Sequence, residues 1–385
     1  MIAALVIGGV SLAAWVYLLL FRGGFWLMRE RDDRNLPPAP PAWPAVAAVV
    51  PARNEADVIE RSVASLLAQD YPGPFQLVLV DDNSEDGTGN AATAAAACSH
   101  AEARLRLISG RPLAKGWTGK LWAVAQGVEA ASASTPTYLW ITDADIAHAP
   151  QTLRHLVARA EAGRLALVSL MARLQTGTWA ERLLIPAFVF FFDMLFPFGQ
   201  VNDPRRKIAA AAGGCMLVRR EALEAAGGIA SIRGEIIDDC ALGARLKAQG
   251  PIWLGLTRTS VSLRPYGSLA DIGRMVSRSA YAQLGYSPWL LAGTLAGMAL
   301  VYLAAPVLAV AGQGEAQWLG VAAWAAMAAA FQPMLRYYRC SPLWGLALPL
   351  IGALYTLFTV QSAIDVWRGK GGMWKGRSQA LAASS

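Results

Sequence analysis

Apolar and polar positions divide the chain into three regimes. Residues 1–21 (MIAALVIGGVSLAAWVYLLLF) carry no charged side chain, and as a helix rising 1.5 Å per residue they would span about 31 Å, the depth of a bilayer core. We read them as an N-terminal transmembrane anchor. Arg22, Arg29, Arg31 and Arg34 follow the apolar run, whereas a cleaved signal peptide would place positive charge before it. Near the other end, residues 288–335 hold one charged residue, Glu315, beside a Gly-x-Gly turn. That pattern predicts a hairpin of two spans, near 289–311 and 317–335. A further apolar stretch, 343–364, runs into Arg368, Lys370, Lys375 and Arg377. A full crossing would export that basic tail (366–385), so either this segment is re-entrant or interfacial, with Pro349 bending it, or the positive-inside rule fails once.

The middle regime is different. After a Pro-rich linker (22–44, with Pro37, Pro38, Pro40, Pro41 and Pro44), residues 45–265 alternate strand-like and helix-like patterns. Strands are predicted at 46–51, 76–81, 104–109, 137–142, 165–171 and 214–218, and helices near 55–68, 86–98, 119–132 and 150–162. Such alternation predicts an α/β domain, Rossmann-like, with a mostly parallel sheet. Residues 266–287 place Leu269, Ile272, Val276, Ala280 and Leu284 on one helical face and Arg274 and Arg278 on another, an amphipathic, basic helix suited to a membrane surface. Residues 183–200 are apolar but interrupted by Pro186, Asp193 and Pro197. An aromatic helix lying in the membrane plane is the preferred reading, and a buried core helix its competitor.

Composition sharpens this. Of 385 residues, 55% are hydrophobic and 16% charged, against about 25% charged in soluble domains, which excludes disorder and argues against a purely soluble protein. The net charge is +7. Its clustered basic residues flank apolar segments, which points to lipid headgroups or a phosphate-bearing substrate and to no nucleic-acid partner. The positive-inside rule puts residue 22 onward in the cytoplasm. Four scattered cysteines and three histidines show no zinc or disulfide spacing. No G-x-G-x-x-G follows the first strand, which excludes a nicotinamide oxidoreductase.

In open parallel sheets ligands bind beyond the carboxyl ends of strands. There the second strand runs into Asp81-Asp82-Asn83-Ser84 and the fourth into Asp143-Ala144-Asp145. Singly, such residues serve equally well as helix caps and turn formers. Their series is more specific: Val49-Val50-Pro51-Ala52-Arg53-Asn54-Glu55, then Asp81 to Thr88 (DDNSEDGT), Gly119-Lys120, Asp143-Ala144-Asp145, and Asp238-Asp239-Cys240-Ala241-Leu242. In order and spacing it resembles the family 2 glycosyltransferases, whose motifs read V-P-x-x-N-E, D-D-x-S-x-D-G-T, D-x-D and E-D-x-x-L. The resemblance covers residues 45 to about 285. Within that family, residues 202–207 (NDPRRK), 213–219 (GGCMLVR) and 251–256 (PIWLGL) resemble the hopene-associated group.

The resemblance implies a GT-A fold, Mg²⁺ or Mn²⁺ as cofactor, and inverting transfer of a sugar from a nucleotide-sugar donor, UDP-linked, to a membrane lipid such as a hopanoid. It also implies a multi-pass protein of the bacterial inner membrane with its catalytic domain in the cytoplasm. It assigns Pro51, Ala52 and Glu55 to the nucleoside edge, and Asp82, less readily Asp81, to the base. Lys120 goes to the uracil or phosphates, Asp143 and Asp145 to the metal, and Asp239 to the catalytic base with Asp238 in support. The first acidic position is Asp where the family has Glu. Where lipid-linked relatives carry Q-x-x-R-W, this chain keeps only the arginine, Arg278, as a diphosphate clamp, which weakens the case for a processive polysaccharide synthase. Competing readings are a transferase that uses polyprenyl phosphate or builds a glycan, and a catalytically silent nucleotide-binding scaffold.

Overall fold

The computed structural model describes residues 1–370 and the backbone of 373, 374, 377 and 378; the rest of the basic tail, Lys375 included, lies outside the described residues. Contacts divide the chain into two compact units. One comprises Glu30–Gln175 and Gln200–Pro265, the other Met1–Arg29, Thr176–Gly199 and Tyr266–Gly372.

The first unit is an eight-stranded sheet: β1 (Val46–Ala52), β2 (Phe75–Asp81), β3 (Leu105–Ser109), β4 (Tyr138–Ile141), β5 (Ile146–His148), β6 (Leu167–Arg173), β7 (Met216–Arg219) and β8 (Ile252–Ser262). Its order is β3-β2-β1-β4-β7-β6-β8-β5. All seven residues of β1 are buried, as expected for a strand covered on both faces. The helices Ile59–Leu67, Thr88–Cys98, Gly119–Ser132 and Thr152–Gly163 connect the strands. Gly127 lets one of them lie close on the sheet, since a Cβ there would stand 2.5 Å from Val49 Cγ1.

All six predicted strands are present. The sheet is mixed, however: β1, β2, β3 and β4 pair in parallel, as do β6 and β8, while β7 is antiparallel to β4 and β6, and β5 to β8. β5 and β8 have no counterpart in the sequence-based strands. The helix expected from residue 55 starts only at Ile59, because residues 53–56 are held in a turn by the loop after β2. Residues 202–207 also have a structural use: Asn202 donates to Glu30 Oε2 (2.9 Å) and accepts from Leu254 N (2.7 Å), and Lys247 Nζ donates to the carbonyls of Val201 and Ile208 (2.6 and 2.7 Å).

Among the described residues, the second unit holds four helices long and apolar enough to cross a membrane: Ile2–Phe21, Pro288–Ala311, Glu315–Tyr338 and Pro342–Trp367. The last spans 26 residues, and Pro349 sits at its junction of 3₁₀ and α turns, where proline is tolerated. The segment read as an in-plane helix forms Trp179–Leu195, begun by a Thr178/Glu181 capping box. Its face is not open. Phe190 packs on Phe331 (ring centroids 5.1 Å apart), Phe191 on Tyr355 (4.9 Å), and Tyr355 Oη donates to Leu184 O (2.9 Å). The buried-helix reading therefore replaces the in-plane one. The amphipathic segment forms Leu269–Gln283. Its apolar face is also covered within the unit, with Tyr281 N donating to Ser362 Oγ (3.0 Å) and Phe358 against Gly273, while Arg274 and Arg278 are exposed.

Candidate functional site

The sheet brings four predicted segments together at strand ends. β1 ends at Pro51-Ala52 and β2 at Asp81, in register as Pro51↔Val80 and Ala52↔Asp81. The loops that follow are stitched to each other. Glu55 N donates to Thr88 Oγ1 (2.8 Å), Ala56 N to Asp86 Oδ2 (2.9 Å), Glu85 N to Asn54 Oδ1 (2.9 Å) and Asn54 N to Ser84 Oγ (3.0 Å). Asn54 and Asn83 take the left-handed conformation, at φ 51° and 55°, which asparagine tolerates better than most residues. Much of the N-E and S-x-D-G-T pattern is thus spent on fixing the turn that carries Glu55.

Of the two adjacent aspartates, Asp81 accepts Ser84 N (2.9 Å) in a turn. Asp82 is fully buried, with the Arg53 guanidinium 3.8 Å from Oδ2 and donating to the Asp82 carbonyl. Arg53 Nε is buried without a hydrogen-bond partner. As they stand, Arg53 and the loop leave no surface of Asp82 open.

The D-x-D segment occupies the turn between β4 and β5, where Ile146 N donates to Asp143 O (3.3 Å). A buried network holds this turn. Thr142 Oγ1 donates to Gly214 O (2.8 Å), so it accepts from His148 Nε2 (2.9 Å), which leaves His148 Nδ1 to accept from Ser260 Oγ (2.8 Å). Burial pushes His148 down to about 3, so it stays neutral at physiological pH. Asp238 and Asp239 begin the helix Asp238–Lys247, where the macrodipole favours acids. Asp239 Oδ2 accepts Gly213 N (2.9 Å) and Oδ1 accepts Cys240 N (2.7 Å).

Lys120, second in the helix Gly119–Ser132, joins these acids. Its Nζ lies 2.9 Å from Asp143 Oδ1 and 3.2 Å from Asp238 Oδ2. Burial alone would lower the ammonium, but Asp143, Asp238 and Asp239 outweigh it and hold Lys120 above its ordinary range. Burial raises Asp143 against the pull of Lys120. It also raises Asp239, with help from Asp238, to about 6. On the other side of the D-x-D turn, Arg264 binds Glu55, lies with Nε 3.3 Å from Asp145 Oδ2, and reaches Asp57 at 3.9 Å. Sequence reasoning missed Arg53, His148 and Arg264, whose partners lie far along the chain. Arg278 belongs to the other unit.

Lys120 and Arg264 thus face six carboxylates: Asp143, Asp238, Asp239, Glu55, Asp57 and Asp145. A diphosphate entering such a field is repelled unless more positive charge enters with it. Among the described residues no three His, Cys, Asp or Glu side chains form a metal cage. The D-x-D carboxylates fit a hard cation that draws its remaining ligands from phosphate and water, the mode Mg²⁺ favours.

Residues 47–227 match the family model of glycosyl transferase family 2. This part of the chain is similar to the family 2 glycosyltransferase domain. Among solved structures, the chain is similar to the mannosyltransferase PcManGT from Pyrobaculum calidifontis, solved with GDP-Man and Mn²⁺, at 22% identity and TM-score 0.55, over 95% of this chain and 99% of that one. It is also similar to glucosyl-3-phosphoglycerate synthase from Mycobacterium tuberculosis, solved with Mg²⁺ and UDP, at 20% identity and TM-score 0.42, over 63% of this chain and 79% of that one. At 22% identity the likeness to the mannosyltransferase is one of fold. No curated protein matches the chain. The glycosyltransferase domain has its first motifs at the ends of β1, β2 and β4, the ligand-binding edge of such sheets.

Proposed function

We propose that this glycosyltransferase moves a sugar from a nucleoside-diphosphate donor, UDP-linked, to a membrane lipid, with a divalent cation and with inversion at the anomeric carbon. The observation that carries the reading is the Asp143–Lys120–Asp238 bridge, which sets the D-x-D turn beside the carboxylate of Asp239. Pro51, Ala52 and Glu55 line the nucleoside edge. Asp82 reads the base once Arg53 has moved, and Asp81 shapes the loop. Asp143 and Asp145 hold Mg²⁺ or Mn²⁺, which when bound neutralises charge on the leaving diphosphate. Lys120 keeps a positive charge next to Asp143 for the same leaving group, and Asp238 keeps Lys120 in place. Asp239 takes the proton from the acceptor hydroxyl as it attacks, and a carboxyl raised to about 6 is a stronger base than an ordinary aspartate yet still ionised at pH 7.

The acceptor is a lipid because the chain adds four bilayer-length helices to the catalytic sheet. We propose a hopanoid type on the sequence resemblance alone, Arg278 as a diphosphate clamp on the same ground, and a cytoplasmic catalytic unit in a bacterial inner membrane. Two measurements test this. Lipid extracts from cells with and without the gene should differ, by mass spectrometry, in a species heavier by one hexose-type unit. UDP should bind more tightly with Mn²⁺ than with EDTA, and Asp145→Ala should erase that difference. Equal UDP affinity in both conditions would remove the metal from the mechanism, and tighter binding of GDP than UDP would change the donor.

A further inference from the structure

Arg264 connects the two halves of the donor site. Its backbone is fixed at the edge of the D-x-D turn, for Ser262 pairs with Ile146 at the end of β8 and Leu263 N donates to Asp145 O (2.7 Å). From there the guanidinium reaches Glu55, on the loop after β1, and Asp145, and its side chain is 31% exposed. A guanidinium is protonated at every working pH, so Arg264 carries its charge throughout. A planar fork can address two carboxylates at once, which a lysine ammonium cannot do with the same geometry.

We propose that Arg264 is a positioning residue that locks Asp145 against Glu55 and, by occupying an oxygen of Asp145, sets the affinity of the site for a divalent cation. The proposal rests on the reading of Asp143 and Asp145 as the metal pair. Two consequences of the fork oppose each other. Holding Asp145 still favours a cation by orienting a ligand, whereas the guanidinium charge beside Asp145 Oδ2 repels it. A unit charge facing a doubly charged ion at about 5 Å changes binding by roughly tenfold even in a water-like dielectric, and orientation of one carboxylate is the smaller effect. Repulsion therefore wins, and Arg264 keeps the cation weakly bound until a diphosphate adds its own negative charge.

The experiment is a calorimetric titration of Mn²⁺ into the full-length protein in detergent at low salt, without nucleotide. Arg264→Gln should bind Mn²⁺ about tenfold more tightly than the wild type. Arg264→Met, which also removes the charge, should tighten binding likewise and carries the test should the glutamine variant fail to fold, whereas Arg264→Lys, which keeps the charge but loses the fork, should bind Mn²⁺ no more tightly than the wild type. A purely structural staple predicts the opposite sign, so unchanged or weaker Mn²⁺ binding in a folded Arg264→Gln or Arg264→Met variant overturns the proposal. Asp145→Ala separates the two ideas. Mn²⁺ binding by the wild type that survives this change, or no Mn²⁺ binding by any variant, defeats the metal reading itself and the inference with it. Binding that Asp145→Ala abolishes but Arg264→Gln does not tighten defeats only the inference.

Discussion

At Asp239 burial and the neighbouring Asp238 push the carboxyl up, while Lys120 and the N–H groups of Cys240 and Gly213 pull it down, to a balance of about 6. A general base must be ionised to work, so kcat/KM should rise with pH through about 6 and level off above it. Asp239→Asn should remove that acid limb and lower kcat by ~10² or more, at the cost of one backbone acceptor, since the amide can accept from Gly213 N or Cys240 N but not both. A well-folded Asp239→Asn enzyme with near-wild-type turnover would dismiss the base. Lys120→Met should move the limb upward, because the cation that favours the ionised form is gone. Stability runs the other way. The folded value exceeds the ordinary carboxylate value, so the folded state binds this proton more tightly than the unfolded chain. The contribution is fully present below about pH 4 and is lost as pH rises through about 6, which makes this carboxylate a cost to the fold at the pH where the proposed base would act. The placing of Asp82, Lys120, Asp145 and Asp239 at strand ends and helix starts was legible in the sequence because each stands in a short motif. Arg264 was not: its partners Glu55 and Asp145 come from two other loops, and only the pairing of β8 with β5 brings it to them.

Among elements, the helix Gly119–Ser132 bears most directly on the site, since it carries Lys120 at its start and lies on β1 and β2 through Gly127. A Cβ at Gly127 would stand 2.5 Å from Val49 Cγ1 and 3.0 Å from Val80 Cγ2. Alanine gains about 1 kcal/mol of helix propensity over glycine, but overpacking a filled interface costs about 1–3 kcal/mol. Steric cost should win, so Gly127→Ala is expected to lower the melting temperature and, by tilting the helix, to raise the donor KM through Lys120. A higher melting temperature would show that the interface has room. The strands flanking this helix were legible as apolar runs bounded by turn residues. β8 was missed because its second half, Thr257 to Ser262, mixes threonine, serine and arginine with a single valine, and β5 because it has only three residues. The reversed direction of β7 was beyond reach for another reason: periodicity reports burial, and a strand buried between two neighbours reads the same in either direction.

At the scale of the whole molecule, orientation follows from charge outside the spans. Arg22, Arg29, Arg31 and Arg34 come directly after Ile2–Phe21, and such a cluster is retained on the cytoplasmic side. In the proposed orientation the sheet that follows it lies on that side too, where the donor would reach Asp82 and Asp143. The 26-residue length of Pro342–Trp367 suits a full crossing, and four crossings from an exterior amino terminus would export Arg368 and Lys370. The four arginines after the first span act earlier in synthesis than that later basic pair, and we expect them to decide. Cys98 offers a direct test. It is exposed on the catalytic unit, whereas Cys215 is buried and Cys240 and Cys340 are half-buried. In a Cys240→Ala/Cys340→Ala background, a membrane-impermeant maleimide should leave Cys98 unmodified in intact cells and modify it in inverted membrane vesicles. Modification from outside the cell would reverse the orientation. It would also place the acceptor on the outer leaflet, and the positive-inside argument from the first span would have failed where it is strongest.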